Sequence, residues 1–246
     1  MRRLLSGAVA LLLVVTGLAV VVASAWGPLV RTDTAIVTAA HGFLVAHPGL
    51  VGPVRVVTDL GSPVAVDIVA GLAAVVFALR RRWLALVAVA TARLGELGSD
   101  TLLKHLVGRP RPSPEPVLAT ATGFSHPSGH AGGTAAVACV LALLALGVHG
   151  PGGARPGRWQ RWLVAVTTAV VVVAVAGSRV LLGVHYPSDV VGGALLGAAW
   201  ALLAVAESTH RSGRAPATPA GARSKESLSF LRDDRRRPRP TPEGRS

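Results

Sequence analysis

The chain has 246 residues, 51% hydrophobic and 15% charged, with net charge +13 and mean hydropathy +0.53. Soluble domains carry about a quarter charged residues, so this composition excludes an ordinary water-soluble fold. The one cysteine, Cys139, lies in an apolar run and excludes an internal disulfide framework.

Leu4–Ala25 follows Arg2-Arg3 and ends in Ala23-Ser24-Ala25, which has the look of a signal cleavage site. Its apolar stretch is longer than the ~7–15 residues of a signal-peptide core, so an anchor helix is expected. Residues 27–60 mix apolar residues with several Gly, Pro and His, and read as an external loop with interfacial or short helical pieces. Further spans are expected at Pro63–Leu79, which carries Asp67 and stops at Arg80-Arg81-Arg82, and at Trp83–Lys104. Ala131–Val148, Trp162–Leu182 and Val190–Ala206 complete the set. Each approaches the ~20 residues that cross ~30 Å of hydrocarbon, the fourth and sixth falling short. The expected fold is an all-α integral membrane bundle of about six transmembrane helices over residues 1–206, without internal repeats.

Residues 207–246 read as a separate, disordered basic tail. Positions 208–246 hold ten Lys/Arg against four Asp/Glu, with Arg235-Arg236-Arg237 among Pro, Ser and Gly. In a membrane protein such a tail suits anionic headgroups better than nucleic acid, so no nucleic-acid partner is expected. Arg2-Arg3, Arg80–Arg82, the loop with Arg155, Arg158 and Arg161, and the tail share one side of a six-span arrangement. The positive-inside rule makes that side cytoplasmic. Lys104 to His130 and the stretch around His185 then face the extracytoplasmic side of the plasma membrane. Cations kept there against the rule point to a task other than topology.

In the third span Arg93, Glu96, Asp100 and Lys104 are spaced by three, four and four residues, which puts them on one helical face. Charges inside a bilayer face protein or a watery cavity. A self-compensating stripe, Arg93 with Glu96 and Asp100 with Lys104, is favoured over a catalytic role for the acids. It also delivers Lys104 to the end of the helix.

Three stretches carry the chemistry: Lys104 with Arg111-Pro112, then Pro127-Ser128-Gly129-His130, then Ser178-Arg179 followed by His185 and Asp189. Phosphoryl transfer needs fixed cations and N–H donors aimed at several oxygens. Arg111 and Arg179 offer planar forks and Lys104 a compact charge. Ser128 is the expected N-cap of the fourth span, whose free N–H groups make an anion site, and Gly129 permits close approach. A neutral imidazole can attack phosphorus to give a phosphohistidine. Asp189, four residues after His185, can orient that ring, leaving His130 to protonate the leaving group. A metal held by His130, His185 and Asp189 is the competing reading, but a lysine and two arginines suit an anion better. His41, His47, His105, His149 and His210 are assigned to structure.

The order Lys104-x6-Arg111-Pro112, Pro127-Ser128-Gly129-His130, Ser178-Arg179-x5-His185-x3-Asp189 resembles the signature of the type 2 phosphatidic acid phosphatase superfamily. That superfamily includes lipid phosphate phosphatases, bacterial undecaprenyl-diphosphate phosphatases, glucose-6-phosphatase and vanadium haloperoxidases. The resemblance covers roughly residues 60–206, and no residue of the three motifs departs from the pattern. It implies a metal-independent phosphatase without cofactor. His185 resembles the nucleophile, Asp189 its orienting partner and His130 the general acid. Lys104, Arg111, Ser128, Gly129 and Arg179 resemble the phosphate cradle. Arg109 falls outside the spacing, as an auxiliary headgroup contact or a structural residue. The implied substrate is a lipid phosphate or diphosphate, of phosphatidic acid or isoprenoid diphosphate type, with membrane lipids as surroundings and the oligomeric state left open. Loop 113–126 and residues 27–60 are expected to select the lipid. A phosphotransferase shares every one of these residues. A lipid transporter or scramblase on this scaffold is expected to lack a catalytic residue, and haloperoxidase relatives are soluble.

Overall fold

Residues 1–147 and 156–214 are described, in a computed structural model with side chains to residue 211. Helix α1 (Arg2–Ala23) takes up the first apolar run and buries one stripe, Ala8, Val15, Ala19 and Val22. Helix α2 (Gly27–Ala46) has Pro28 in its first turn, where a missing N–H leaves no bond unmade. This corrects the expected external loop with short helical pieces, since residues 27–46 form one helix of 20 residues. Its buried positions are Asp33, Val37, His41 and Leu44, a single face. Two of the polar residues of the segment, Asp33 and His41, are thus turned inward. A 3-10 turn at Pro48–Leu50 leads into α3 (Val51–Leu60), and the chain bends by 100° between α2 and this second piece.

Helix α4 (Pro63–Leu79) starts from Ser62, whose hydroxyl accepts from the Ala65 N–H at 3.2 Å, with Pro63 at the first helical position. Helix α5 (Trp83–Val107) stops at Gly108, whose left-handed φ of 63° turns the chain away. Helices α6 (Gly129–Ala145), α7 (Arg158–Leu181) and α8 (Pro187–Arg214) follow. Helix α8 continues past Ala206, where the sequence places the end of the sixth span. Val148, His149, Arg155 and the tail from 215 to 246 lie outside the described residues.

Among the described residues every regular element is helical. Three helices are long and apolar enough to cross a membrane: α1, α7 and α8 over Pro187–Arg211. The bent pair of α2 with Pro48–Leu60 makes a fourth if it counts as one span, while α4 and α6 are apolar but shorter. The expected third span is α5, set apart from the others by its charged stripe. Length and composition therefore do not reach the expected six.

Helices α4, α5, α6 and α8 meet in a core of small side chains, with Ala70, Ala88, Ala92, Val140, Ala201 and Val205 at its centre. Small residues let backbones approach where the surroundings are as apolar as the interface. The tightest point joins α6 to α8: a Cβ added at Gly193 would lie 2.3 Å from the Ser128 carbonyl oxygen, and one at Gly197 2.1 Å from that of Gly132. Leu13, Leu72 and Val173 point outward, more than 60% exposed, as an apolar surface in contact with lipid requires.

Candidate active site

The stripe on α5 forms as the spacing predicts. Arg93 Nη1 donates to Glu96 Oε2 at 2.7 Å, and Lys104 Nζ donates to both oxygens of Asp100, to Oδ1 at 2.6 Å. Asp67 of α4 joins it, accepting from Arg93 Nε at 2.6 Å, so two carboxylates share that guanidinium. Each internal charge thereby has an opposite partner, and Lys104 is carried to the C-terminal turn of α5.

A cavity of about 800 Å³ opens there. Lys104, Arg111, Gly129, His130, Arg179 and His185 all line it, so six of the eight residues singled out in the sequence converge on one space. Asp100, Glu96 and Arg93 line it beside Lys104, while Arg55, Thr58 and Asp59 of α3 and residues 117–122 form much of the remaining wall. Asp189 and Ser128 lie behind the lining, both fully buried. The N-termini of α6 and α8 are tied together, because the Ser128 N–H donates to the Asp189 carbonyl at 2.9 Å.

His185 sits in the turn between α7 and α8, with 2% of its surface exposed. Its Nε2 lies 2.8 Å from Arg111 Nη1. A guanidinium only donates, so Nε2 must be the accepting nitrogen and the ring proton sits on Nδ1. Nδ1 in turn is 3.6 Å from Asp189 Oδ2 and 3.5 Å from Ser125 Oγ. Burial pushes the His185 imidazole down to about 4; Arg111 and Arg179 add to the fall, and Asp189 opposes it. The ring is therefore neutral at pH 7, with its Nε2 lone pair accepting from Arg111 at the cavity wall.

Arg111 is spread across the site. Nε donates to the Gly123 carbonyl at 3.0 Å, Nη2 to that of Thr122 at 2.9 Å, and Nη1 to that of Val184 at 3.0 Å as well as to His185. Four of its five N–H groups are thus engaged. Arg179 uses Nη1 on Thr58 Oγ1 at 2.9 Å, and among the described residues its buried Nε has no partner. Ser128 occupies the N-cap of α6 as expected, but its side chain makes no capping bond, and its buried hydroxyl is likewise without a partner. Leaving a buried donor unmet costs about 1–3 kcal/mol.

Asp189 is as heavily bonded as Arg111. Its Oδ1 accepts from Arg109 Nη1 at 2.8 Å and faces His126 Nδ1 at 3.3 Å, while Oδ2 accepts from the Tyr186 N–H at 2.9 Å and from the Ser125 hydroxyl. Ser125 and His126 are absent from the sequence reading, although they directly precede Pro127 of the second motif, and that adjacency is the signal that could have found them. Arg109 does not line the cavity, so of its two assignments the structure supports the structural one. His41 also serves structure, with Nε2 3.1 Å from the Pro116 carbonyl oxygen. Among the described residues no group of three or more His, Cys, Asp and Glu is gathered to hold a metal ion.

The profile of the PAP2 superfamily matches residues 81–211. The chain belongs to this superfamily. Two PAP2 relatives bear the name decaprenylphosphoryl-5-phosphoribose phosphatase. The protein from Mycobacterium tuberculosis is 34% identical over 172 residues, covering 68% of this chain and 86% of the relative. That from Mycolicibacterium smegmatis is 33% identical over 168 residues, covering 66% and 82%. Among solved structures, a transmembrane PAP2 type phosphatidylglycerolphosphate phosphatase from Bacillus subtilis aligns with a TM-score of 0.68 and 29% identity, over 81% of this chain and 94% of that one. The chain is accordingly a membrane phosphatase of the PAP2 superfamily.

Proposed function

We propose that this chain, a hydrolase of lipid-linked phosphates, works without a metal through a phosphohistidine on His185. One observation carries the reading: a neutral, buried imidazole presents Nε2 to a cavity whose walls hold Lys104, Arg111 and Arg179. The unpaired Arg179 Nε and Ser128 hydroxyl support it, as donors that a bound oxyanion would satisfy.

In the first step Nε2 of His185 bonds to phosphorus as the bond from phosphorus to the lipid oxygen breaks. His130, whose imidazole burial and the Arg179 guanidinium hold down to about 3, is brought to its charged form by the phosphate dianion beside it and gives that oxygen a proton. Arg111 releases Nε2 and turns the freed N–H to a phosphoryl oxygen. His185 becomes cationic as the bond forms, and the Asp189 carboxylate beside Nδ1 stabilises that charge. In the second step His130 takes a proton from water, the water oxygen bonds to phosphorus and the N–P bond breaks. The products are inorganic phosphate and the lipid alcohol, with the enzyme restored. The free N–H groups of Gly129 and the first turn of α6 complete the cradle.

The relatives are named for a decaprenylphosphoryl phosphoribose and for phosphatidylglycerolphosphate, so in both the phosphate rests on a hydroxylated unit. A cavity near 800 Å³ is of the size that encloses a whole small molecule, ~300–1,000 Å³, and exceeds the need of one phosphoryl group. Arg55, Thr58 and Asp59 of α3, with residues 117–122, are assigned to the unit bearing the phosphate. The site is assigned to the extracytoplasmic face of the plasma membrane, by the charge asymmetry of the loops.

The test is phosphate release by purified protein in detergent from a panel of lipid monophosphates and diphosphates, with an alkaline quench to trap labelled phosphohistidine. Wild type should release phosphate and trap label. His130→Ala should lose roughly 10²–10⁴ of the rate, the usual contribution of a general acid. Near-normal turnover by His185→Ala would overturn the reading.

A further inference from the structure

Behind the cavity, four residues from three segments close a buried ring. Arg109, in the loop after α5, donates through Nη1 to Asp189 Oδ1 at 2.8 Å and to Ser188 Oγ at 2.7 Å. Through Nη2 it donates to Asp33 Oδ2 of α2, also at 2.8 Å. Asp33 Oδ1 accepts the Ser188 N–H at 3.0 Å, and the Ser188 hydroxyl donates to Oδ2. The guanidinium carbon lies 4.0 Å over the Tyr186 ring, which holds the fork flat between the two acids. Asp33 is 2% exposed and Asp189 fully buried. None of the four lines the cavity.

The charge count of this ring matters more than its bonds. One guanidinium serves two carboxylates, so Asp189 keeps part of its negative charge unspent. Were Arg109 paired with Asp189 alone, that charge would be largely neutralised, and the cation forming on His185 would lose its counter-ion. Were Arg109 absent, Asp33 and Asp189 would face each other unscreened and the carboxylate would swing from its place.

We infer that Asp33 and Arg109 are positioning residues for the reaction: through a shared guanidinium they fix the orientation and the remaining charge of Asp189, and so the strength of His185 as nucleophile. The inference rests on the phosphohistidine reading above. Both residues act on the chemical step and neither meets substrate.

The experiment measures kcat and KM on one lipid phosphate for Asp33→Asn, Arg109→Gln, Arg109→Lys and the Asp33→Asn/Arg109→Gln double variant, with His185→Ala alongside and Tm for each. Each neutral single variant should lower kcat about 10- to 100-fold, the range typical when the partner orienting a reactive ligand is lost. KM should stay within about twofold, since uniform binding is untouched. Arg109→Lys should recover part of the kcat. The double variant should be less impaired than the product of the two singles, because it removes the like-charge pair as well as the guanidinium. Multiplicative losses in kcat, or a rise in KM with kcat unchanged, would overturn the inference. If Asp33→Asn does not fold, Asp33→Glu, which keeps the charge, must hold kcat above Arg109→Gln. Turnover by His185→Ala would instead remove the reading on which the inference stands.

Discussion

Asp189→Asn separates charge from shape at the centre of the site. The amide has the carboxylate's outline but only one accepting oxygen. In the wild type Oδ1 takes Arg109 and faces His126, while Oδ2 takes the Tyr186 N–H and the Ser125 hydroxyl and faces His185. With the NH₂ on the Oδ1 side, it opposes Arg109, which has no accepting atom. With the NH₂ on the Oδ2 side, it opposes the Tyr186 N–H, which has none either, and the proton on His185 Nδ1. Ser125 can rotate to accept and His126 can change tautomer, so each orientation strands at least one obligatory donor. That loss costs about 1–3 kcal/mol of stability, more if the stranded group is Arg109. The rate should suffer more, because the imidazolium formed on attack has lost its anion. The equivalent change in a serine-protease triad costs ~10⁴ in kcat, about 5.5 kcal/mol at 1.36 kcal/mol per decade. A fall of 10³–10⁴ in kcat is therefore expected here, with a drop in Tm of a few degrees. The assay is phosphate release from a lipid phosphate in detergent, with thermal unfolding of the same sample. More than a tenth of wild-type kcat in folded Asp189→Asn would refute the counter-ion role.

Four further outcomes are expected. Because the His185 ring is held down to about 4, against ~6.5 for a free imidazole, the enzyme's acid limb in kcat/KM should fall near pH 4 once the substrate's own ionisation near pH 6 is removed. The neutral buried ring contributes stability fully above pH 6.5 and loses it as pH falls towards 4, so Tm should decline across that window in wild type more than in His185→Gln. Gly193→Ala puts a Cβ 2.3 Å from the Ser128 carbonyl oxygen and should cost about 1–3 kcal/mol while shifting the turn before His130, whereas Gly71→Ala, with nothing within 4 Å, should leave activity intact. Excess chelator should leave turnover unchanged, and a loss restored by one divalent ion would count against the metal-free cradle.

The sequence made most of the cavity wall legible, because its motifs combine residue types that only an oxyanion needs together. Lys104, Arg111, His130, Arg179 and His185 stand apart from the apolar runs around them, and their convergence follows from helix ends sharing one level. The second layer was harder to read. Asp33 is one acid in a segment with enough Gly, Pro and His to pass for a loop, and its partner Arg109 lies 76 residues away. Only the spacing of Asp33, Val37, His41 and Leu44 betrays a helix with a polar inner face. Ser128 was placed correctly as the residue before α6, but no pattern in the chain reveals that its hydroxyl leaves the capping bond unmade. Length and composition stop at three or four spans for a related reason: hydropathy counts side chains without knowing which face meets protein, so α5 with its paired charges and the bent α2 resist classification by composition.

The contact between Arg111 and Nε2 of His185 has a consequence for selectivity. Nε2 is sheathed by a hydrogen-bond donor, and under the proposed mechanism only a ligand with enough negative charge to draw the guanidinium aside would uncover it. Under that mechanism, neutral electrophiles arriving from the lipid should find a blunted reagent. Recognition and activation become the same movement of one arginine.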